Sequence, residues 1–279
     1  VRLLRCARFS LFQVLLLLIS MTTTPAAAQV ETPDSQHHAR VEQRAAHWSK
    51  SAAKYDEMWE RGEPKVYAEL EAELLRDFTG ARPGIRMLEL CNGTGRNTVR
   101  MAATGVELVA VDNAEGMLEI SSGKVGEMNL KNVTVKKGNI FDLDFPPESF
   151  DAVIGTRFMY MMTQEEKGAI VDQIRKVLKP GGVAAIQFNG CLWGLKTEIV
   201  RLLTGQKFRP LKSYYLWPGQ IDSIFRGFEV TRVYGVKLPQ LALFEKVVGK
   251  TIARAVNKIC HVFPFNYCCS YIVVRAVKR

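Results

Sequence analysis

Ile85-Arg86-Met87-Leu88-Glu89-Leu90-Cys91-Asn92-Gly93-Thr94-Gly95-Arg96 is the stretch on which the fold turns. Its apolar run, Ile85 to Leu90, is bounded by Pro83-Gly84 and Asn92-Gly93, the mark of a buried strand. Arg96 to Ala103 follows with helical character. Two glycines therefore fall where the chain turns from strand to helix, and there a ligand can approach bare backbone. The alternation continues downstream. The pattern predicts strands over Glu107–Val111, Val133–Lys137, Phe150–Gly155 and Val183–Phe188, with helices over Ala114–Met128 and Gln164–Leu178. Strands alternating with helices imply a parallel sheet covered on both faces.

Outward from this core, Ala39 to Glu60 carries Val41, Ala45, Trp48, Ala52, Tyr55 and Trp59 at three- and four-residue spacings, one apolar face of a helix. A second helix is predicted from Pro64 to Phe78, opened by the proline and closed by Gly80. Lys179-Pro180-Gly181-Gly182 reads as a turn that stops one helix and starts the next strand. Beyond it the pattern predicts helices near Leu192–Leu203 and Gln220–Phe225. Two β-rich runs, Phe228–Val236 and Cys269–Val277, follow on either side of a helix at Leu241–Ile259. The expected organisation is a leader or extension over 1–38 and one domain over 39–279. Within that domain, 84–190 forms the core and 191–279 an acceptor-recognition and C-terminal hairpin region.

Composition narrows the class. With 279 residues, 47% hydrophobic and 24% charged, the chain suits one ordinary domain with appendages. Its 21 Gly and 11 Pro are too few for a low-complexity chain. The six cysteines lack the paired spacings of a zinc site or a disulfide scaffold, so they read as intracellular free thiols, and no metal is expected. The formal charge of +10 is uneven: residues 189–279 hold fifteen Lys or Arg against four Asp or Glu. Such a surface suits an anionic membrane, a nucleic acid or an acidic substrate, or is simply solvated. No RNA-binding signature accompanies it, and no nucleic-acid partner is expected. In the predicted helix Leu241–Ile259, Lys246, Lys250, Arg254 and Lys258 form a cationic stripe beside an apolar face. It either packs on the sheet with a solvated edge or makes peripheral membrane contact.

The N-terminus supports three locations. Arg2, Arg5 and Arg8 precede the apolar run Leu11 to Ile19, and Pro25-Ala26-Ala27-Ala28-Gln29 follows, as in a secretory leader; the acid-free stretch up to Glu31 also suits an organelle transit peptide. The first residue is Val1, however, and a start at Met21 would make the protein cytoplasmic.

The second strand ends in Val111-Asp112, seventeen residues after Gly95. A carboxylate there sits beside the glycine loop, where it can accept hydrogen bonds from both hydroxyls of a ribose. A dinucleotide loop needs Gly or Ala at the place held by Thr98, and no Walker lysine follows. Glu89 would repel a phosphate but suits an amino group. An acid on each side of the loop fits a ligand with an ammonium end and a ribose middle. Simpler roles compete: a glycine pair after a strand can be a mere tight turn, and an acid closing a strand can be the N-cap of the next helix.

Glu89 to Gly95 resembles the first motif of the class I S-adenosylmethionine-dependent methyltransferases, an acid followed by Gly-x-Gly-x-Gly. Asp112-Asn113-Ala114-Glu115-Gly116-Met117-Leu118 is similar to the family's Asp-x-Ser-x-x-Met-Leu, and Gly138-Asn139-Ile140-Phe141-Asp142-Leu143-Asp144-Phe145 to its Gly-Asp-Ala-x-x-Leu-Pro-Phe. Ser149-Phe150-Asp151-Ala152-Val153 and Leu178-Lys179-Pro180-Gly181-Gly182 follow in the family's order. The resemblance implies a Rossmann-like, doubly wound α/β sheet of seven strands, mostly parallel with the last antiparallel, under a helical N-terminal cap. It also implies S-adenosyl-L-methionine as cofactor. By the same resemblance Glu89 faces the methionine amino group, Gly93 and Gly95 admit the cofactor, and Asp112, followed by Asn113, holds the ribose. Met117 and Ile140 sandwich the adenine, and Asn139 bonds its amino edge. Cys91 in place of the first glycine, Asn139 in place of Asp and Ala114 in place of Ser are departures. In the loop after the fourth strand, Arg157 is a candidate for the cofactor or an acceptor carboxylate, and Tyr160 falls where related enzymes often have His. Tyr55 and Tyr160 are the candidates for the acceptor pocket. The implied function is in-line methyl transfer to a small-molecule or lipid-like acceptor, on O, N or C. The catalytic group is not identified, since an activated donor needs a general base only when the acceptor must lose a proton. A cofactor-binding protein without catalysis and a membrane-surface interaction protein are the alternatives.

Overall fold

Three strands bury nearly every residue they contain: β1 (Arg86–Leu90), β2 (Glu107–Asp112) and, after the edge strand β3 (Val133–Lys137), β4 (Phe150–Gly155). Continuous apolar runs of this kind are stable only when both faces of a sheet are covered. β3 alternates half-buried and exposed positions and carries Lys136 and Lys137, which keep an edge strand from pairing with other chains. The remaining strands are β5 (Leu178–Asn189), β6 (Phe228–Val236) and β7 (Tyr271–Lys278).

The computed structural model describes residues 33–62, 65–206, 215–236, 258–262 and 265–279. Of the leader or extension expected over 1–38, residues 1–32 lie outside them and 33–38 are helical; the expected helix Leu241–Ile259 also lies outside them except for Lys258 and Ile259, which belong to a 3-10 turn, Lys258–His261. The chain falls into two compact units, Val1–Glu42 and Gln43–Arg279. The first contributes, among the described residues, the opening turns of helix α1 (Pro33–Gly62). The second holds the sheet.

The strand order is β3-β2-β1-β4-β5-β7-β6. β1 to β5 pair in parallel, whereas β7 runs antiparallel to both β5 and β6. This is the doubly wound, seven-stranded arrangement expected from the sequence. Side chains alternate along each strand, so the two faces gather different partners. Met87, Leu108, Ala152 and Ile154 pack against Leu75 and Phe78 of α2 (Lys65–Thr79) and Met101 of α3 (Arg96–Ala102). Leu88, Leu90, Val109, Val111 and Val153 pack against Ile170, Ile174 and Val177 of α5 (Gln164–Val177). Between α3 and α5 in the chain comes α4 (Glu115–Glu127). A capping box fixes the start of α5: Thr163 Oγ1 accepts from the Glu166 amide at 3.2 Å, and the Glu166 carboxylate accepts from the Thr163 amide at 2.8 Å.

Several boundaries differ from the expectation, and α1 opens at Pro33, six residues before the expected Ala39. β5 begins at once after α5, but its pairing with β4 jumps from Phe150–Leu178 to Ala152–Val183. The residues between, read as a turn, are pushed out of the ladder, with Gly181 at φ +75°. β7 starts at Tyr271, two residues later than predicted, because Phe265–Cys268 forms a short helix, α8, that delays it. Two further helices, α6 (Cys191–Leu203) and α7 (Ile221–Ile224), lie where the sequence places them. The strand order reverses between β1 and β4, and in open α/β sheets ligands bind beyond the carboxyl ends of the strands at such a switch.

Candidate functional site

The loop leaving β1 reverses direction by taking the left-handed conformation three times in five residues: Cys91 at φ +50°, Gly93 at +55° and Gly95 at +78°. Each glycine has its own reason. At Gly95 a Cβ would fall 2.7 Å from Ser121 Oγ on α4, so the loop packs too closely for any side chain. At Gly93 a Cβ would meet no atom within 4 Å, so the bare backbone faces open space. Cys91 takes a glycine conformation with a side chain, at a cost of roughly 1 kcal/mol. Burial, with Asp112 and Glu89 nearby, holds its thiol well above the ordinary range, so it stays protonated. All five cysteines among the described residues are free thiols.

Asp112 closes β2 and staples the loop. Its Oδ2 accepts from the Gly93 amide and its Oδ1 from the Ala114 amide, both at 2.9 Å. Burial raises its pKa against the pull of these backbone donors. The N-cap role weighed for it in the sequence falls instead to Ala114, two residues on, which makes no side-chain capping bond. A carboxylate has about four acceptor sites, however, so its backbone donors do not exhaust it. Glu89 behaves differently. It shares the sheet face of Met87, is 4% exposed, and takes a hydrogen bond from Thr98 Oγ1 on α3 at 2.7 Å. Burial pushes its pKa up to about 8, with Asp112 and Glu71 adding to the rise. The structure places it beneath the loop, bonded to Thr98.

The part of α1 from Gln43 onward is fastened across the carboxyl edge of the sheet at four points. Arg44 makes a two-pronged ion pair with Glu166 at 3.2 and 3.3 Å. Trp48 Nε1 donates to Met161 Sδ at 3.3 Å, and Ser49 Oγ accepts from the Gly116 amide at 3.3 Å. Asp56 accepts from Thr94 Oγ1 at 2.6 Å and pairs with Lys124. Gly116 is a glycine because a Cβ there would fall 2.6 Å from the Ser49 carbonyl oxygen. Ala52 and Met117 pack together under this helix, with Trp48 and Tyr55 against them.

Beneath the helix lies a cleft enclosing about 420 Å³ of empty space counted out to its mouth. Gly93 and Asp112 form one wall, Trp48, Tyr55 and Met117 another, and Arg157 and Met161 a third. Of the residues singled out from the sequence, the cleft therefore gathers Gly93, Asp112, Met117, Arg157 and Tyr55. Gly95, where the loop enters α3, faces Ser121 of α4, and Asn113 is half-buried beside Asp112. Asn139 spends its amide oxygen on the Phe141 amide at 3.1 Å, closing a local turn. Ile140 is buried in the core with Leu143. Tyr160 sits in the 3-10 turn Met159–Met161, and burial pushes its pKa up to about 12.

Arg157 is held in a network that sequence reasoning missed. Its guanidinium pairs with Glu71 of α2 at 3.0 Å and lies 4.4 Å over the Trp59 ring. Asn97 and Gln187 each donate to the Glu71 carboxylate at 2.9 Å, and Gln187 also accepts from the Arg157 amide at 3.0 Å. Burial works against the Glu71 charge, but Arg157 and the two amides outweigh it and hold the carboxyl below its usual range. Arg157 itself is at φ +63°. The available sign was periodicity, because Glu71 falls on the stripe of Tyr67, Leu75 and Phe78 that α2 turns inward.

Comparison with known proteins agrees with this geometry. Residues 87–182 match the family described as "Methyltransferase domain". The chain is 33% identical over 146 residues to a demethylmenaquinone methyltransferase of Renibacterium salmoninarum, covering 51% of this chain and 57% of that protein. It is 36% identical over 99 residues to one of Clavibacter sepedonicus, covering 36% and 39%. The matched span is thus about half the length of these relatives or less. Among solved structures, the CcbJ methyltransferase of Streptomyces caelestis superposes with a TM-score of 0.61 at 19% identity, over 84% of this chain and 98% of that one, a likeness of fold.

Proposed function

We propose, from the premise that residues 87–182 carry a class I S-adenosylmethionine-dependent methyltransferase domain, that this chain methylates a small, lipid-like acceptor. The observation that carries the reading is the pairing, on one cleft wall, of a carboxylate with spare acceptor sites (Asp112) and a backbone stripped of side chain (Gly93). That donor set fits S-adenosylmethionine: Asp112 would take the ribose hydroxyls, Gly93 would let the chain approach, and Met117 with Tyr55 would pack on apolar parts of the molecule. The bound cofactor supplies an already activated methyl group.

The chain's own residues then have to orient and to exclude water. The fastenings of α1 through Arg44, Trp48, Ser49 and Asp56 keep the cleft covered. Among the described cleft residues, burial raises the pKa of Tyr55 and of Cys91. Neither is ionised near neutral pH. The demethylmenaquinone methyltransferases among the relatives support a quinone-like acceptor.

Titration calorimetry with S-adenosylhomocysteine tests the site, and transfer of labelled methyl from S-adenosylmethionine into reduced quinones tests the acceptor. Asp112→Ala is expected to weaken cofactor binding by about 1 to 3 kcal/mol, the scale of hydrogen bonds to a charged group. Unchanged affinity would remove Asp112 from the site, and a chain that ignores the nucleoside would remove the function.

A further inference from the structure

We propose that α6 docks the domain on an anionic lipid surface. The helix leaves the end of β5 at Gly190 and so starts on the same edge of the sheet as the cleft. Its amphipathicity is inverted. Glu198, its only acid, is fully buried, where it accepts from the Tyr215 hydroxyl at 3.2 Å and pairs with Arg201 at 3.5 Å. Leu192, Ile199, Val200, Leu202 and Leu203 are exposed instead, Leu202 at 64% and Leu203 at 80%. Leu192, Ile199 and Leu203 stand seven and four residues apart, one above another along a single helix face. An exposed apolar row of this kind marks an interaction surface.

The charges around the row decide its partner. Lys196 is exposed midway along it, at four residues from Leu192, and Arg201 is half-exposed beside it. Apolar side chains flanked by cations, with the one anion drawn inward, match a bilayer with acidic headgroups, where the row enters the acyl boundary and the cations meet phosphates. Among the described residues no helix is long and apolar enough to cross a membrane, so the contact is peripheral. It lies apart from the cofactor cleft and does not depend on methyl transfer.

The test is co-sedimentation of the full chain with vesicles of phosphatidylcholine alone, or with about one-third phosphatidylglycerol. The expected result is binding to the acidic vesicles that weakens about five-fold for each cation removed. The double variant Ile199→Ser/Leu203→Ser should lose about ten-fold or more while S-adenosylhomocysteine affinity stays at the wild-type value. Absence of vesicle binding, or binding untouched by the double variant, overturns the proposal. So does a dimer or a protein complex that the same variant abolishes, since the row would then face protein. Vesicle binding by a chain that ignores the nucleoside would refute the methyltransferase reading and leave this one standing.

Discussion

Replacing Glu89 with Gln should flatten the pH dependence of stability by an amount that follows from its burial. In the folded chain the carboxyl pKa rises from 4.5 to about 8, chiefly because burial penalises its charge. Below 4.5 both folded and unfolded forms hold the proton, and the group's contribution to stability is intact. As the pH climbs, the unfolded chain ionises first, and the contribution is lost progressively until the folded form ionises near 8. Across that interval the loss is on the order of 5 kcal/mol, an upper figure because local opening and water entry relieve part of it. Gln can still accept from Thr98 through its amide oxygen, so the variant keeps the bond and removes the titration. Urea unfolding followed by circular dichroism at several values between pH 5 and 8 gives the comparison. The free-energy difference, variant minus wild type, should grow by several kcal/mol over this range. Parallel curves would refute the reasoning. A companion measurement is calorimetry of S-adenosylhomocysteine in buffers of different ionisation enthalpy at pH 7. Proton release close to zero is expected from a carboxyl outside the cleft, and release near one proton would return Glu89 to the ligand.

Three other substitutions probe the same architecture. Glu71→Ala strands the Arg157 guanidinium in a buried site and should cost about 3 to 5 kcal/mol in urea unfolding; a loss under 1 kcal/mol would mean that the pair is solvated. Gly116→Ala pushes a Cβ into the Ser49 carbonyl and should destabilise by about 1 to 3 kcal/mol and weaken cofactor binding with it, whereas an unchanged melting temperature would show that α1 is not seated on α4. Leu88→Ala, at a fully buried position of β1, should cost about 2 to 5 kcal/mol without shifting cofactor affinity per folded molecule, which calorimetry at low temperature can verify.

The strands were legible because each announces itself locally. The apolar runs of β1, β2 and β4 need no partner to be recognised, and the glycine loop with Asp112 follows from chain order alone. What escaped notice depends on distance. Gly116 is required by Ser49, 67 positions earlier, and Glu71 meets Arg157 across 86 positions. A motif can mark such residues, but only the packed molecule supplies the reason. Glu89 adds a second case: strand alternation puts it on the face of Met87, but its bond to Thr98 on α3 appears only once the chain is packed.

The place of β7 has a further consequence. It lies between β5 and β6, although β6 precedes it in the chain. During synthesis β6 therefore leaves the ribosome before the strand it pairs with, and it must wait with that edge unmatched until β7 emerges. Truncation within Tyr271–Lys278 would strand β6 in the same way and leave the flank of β5 open to stray neighbours.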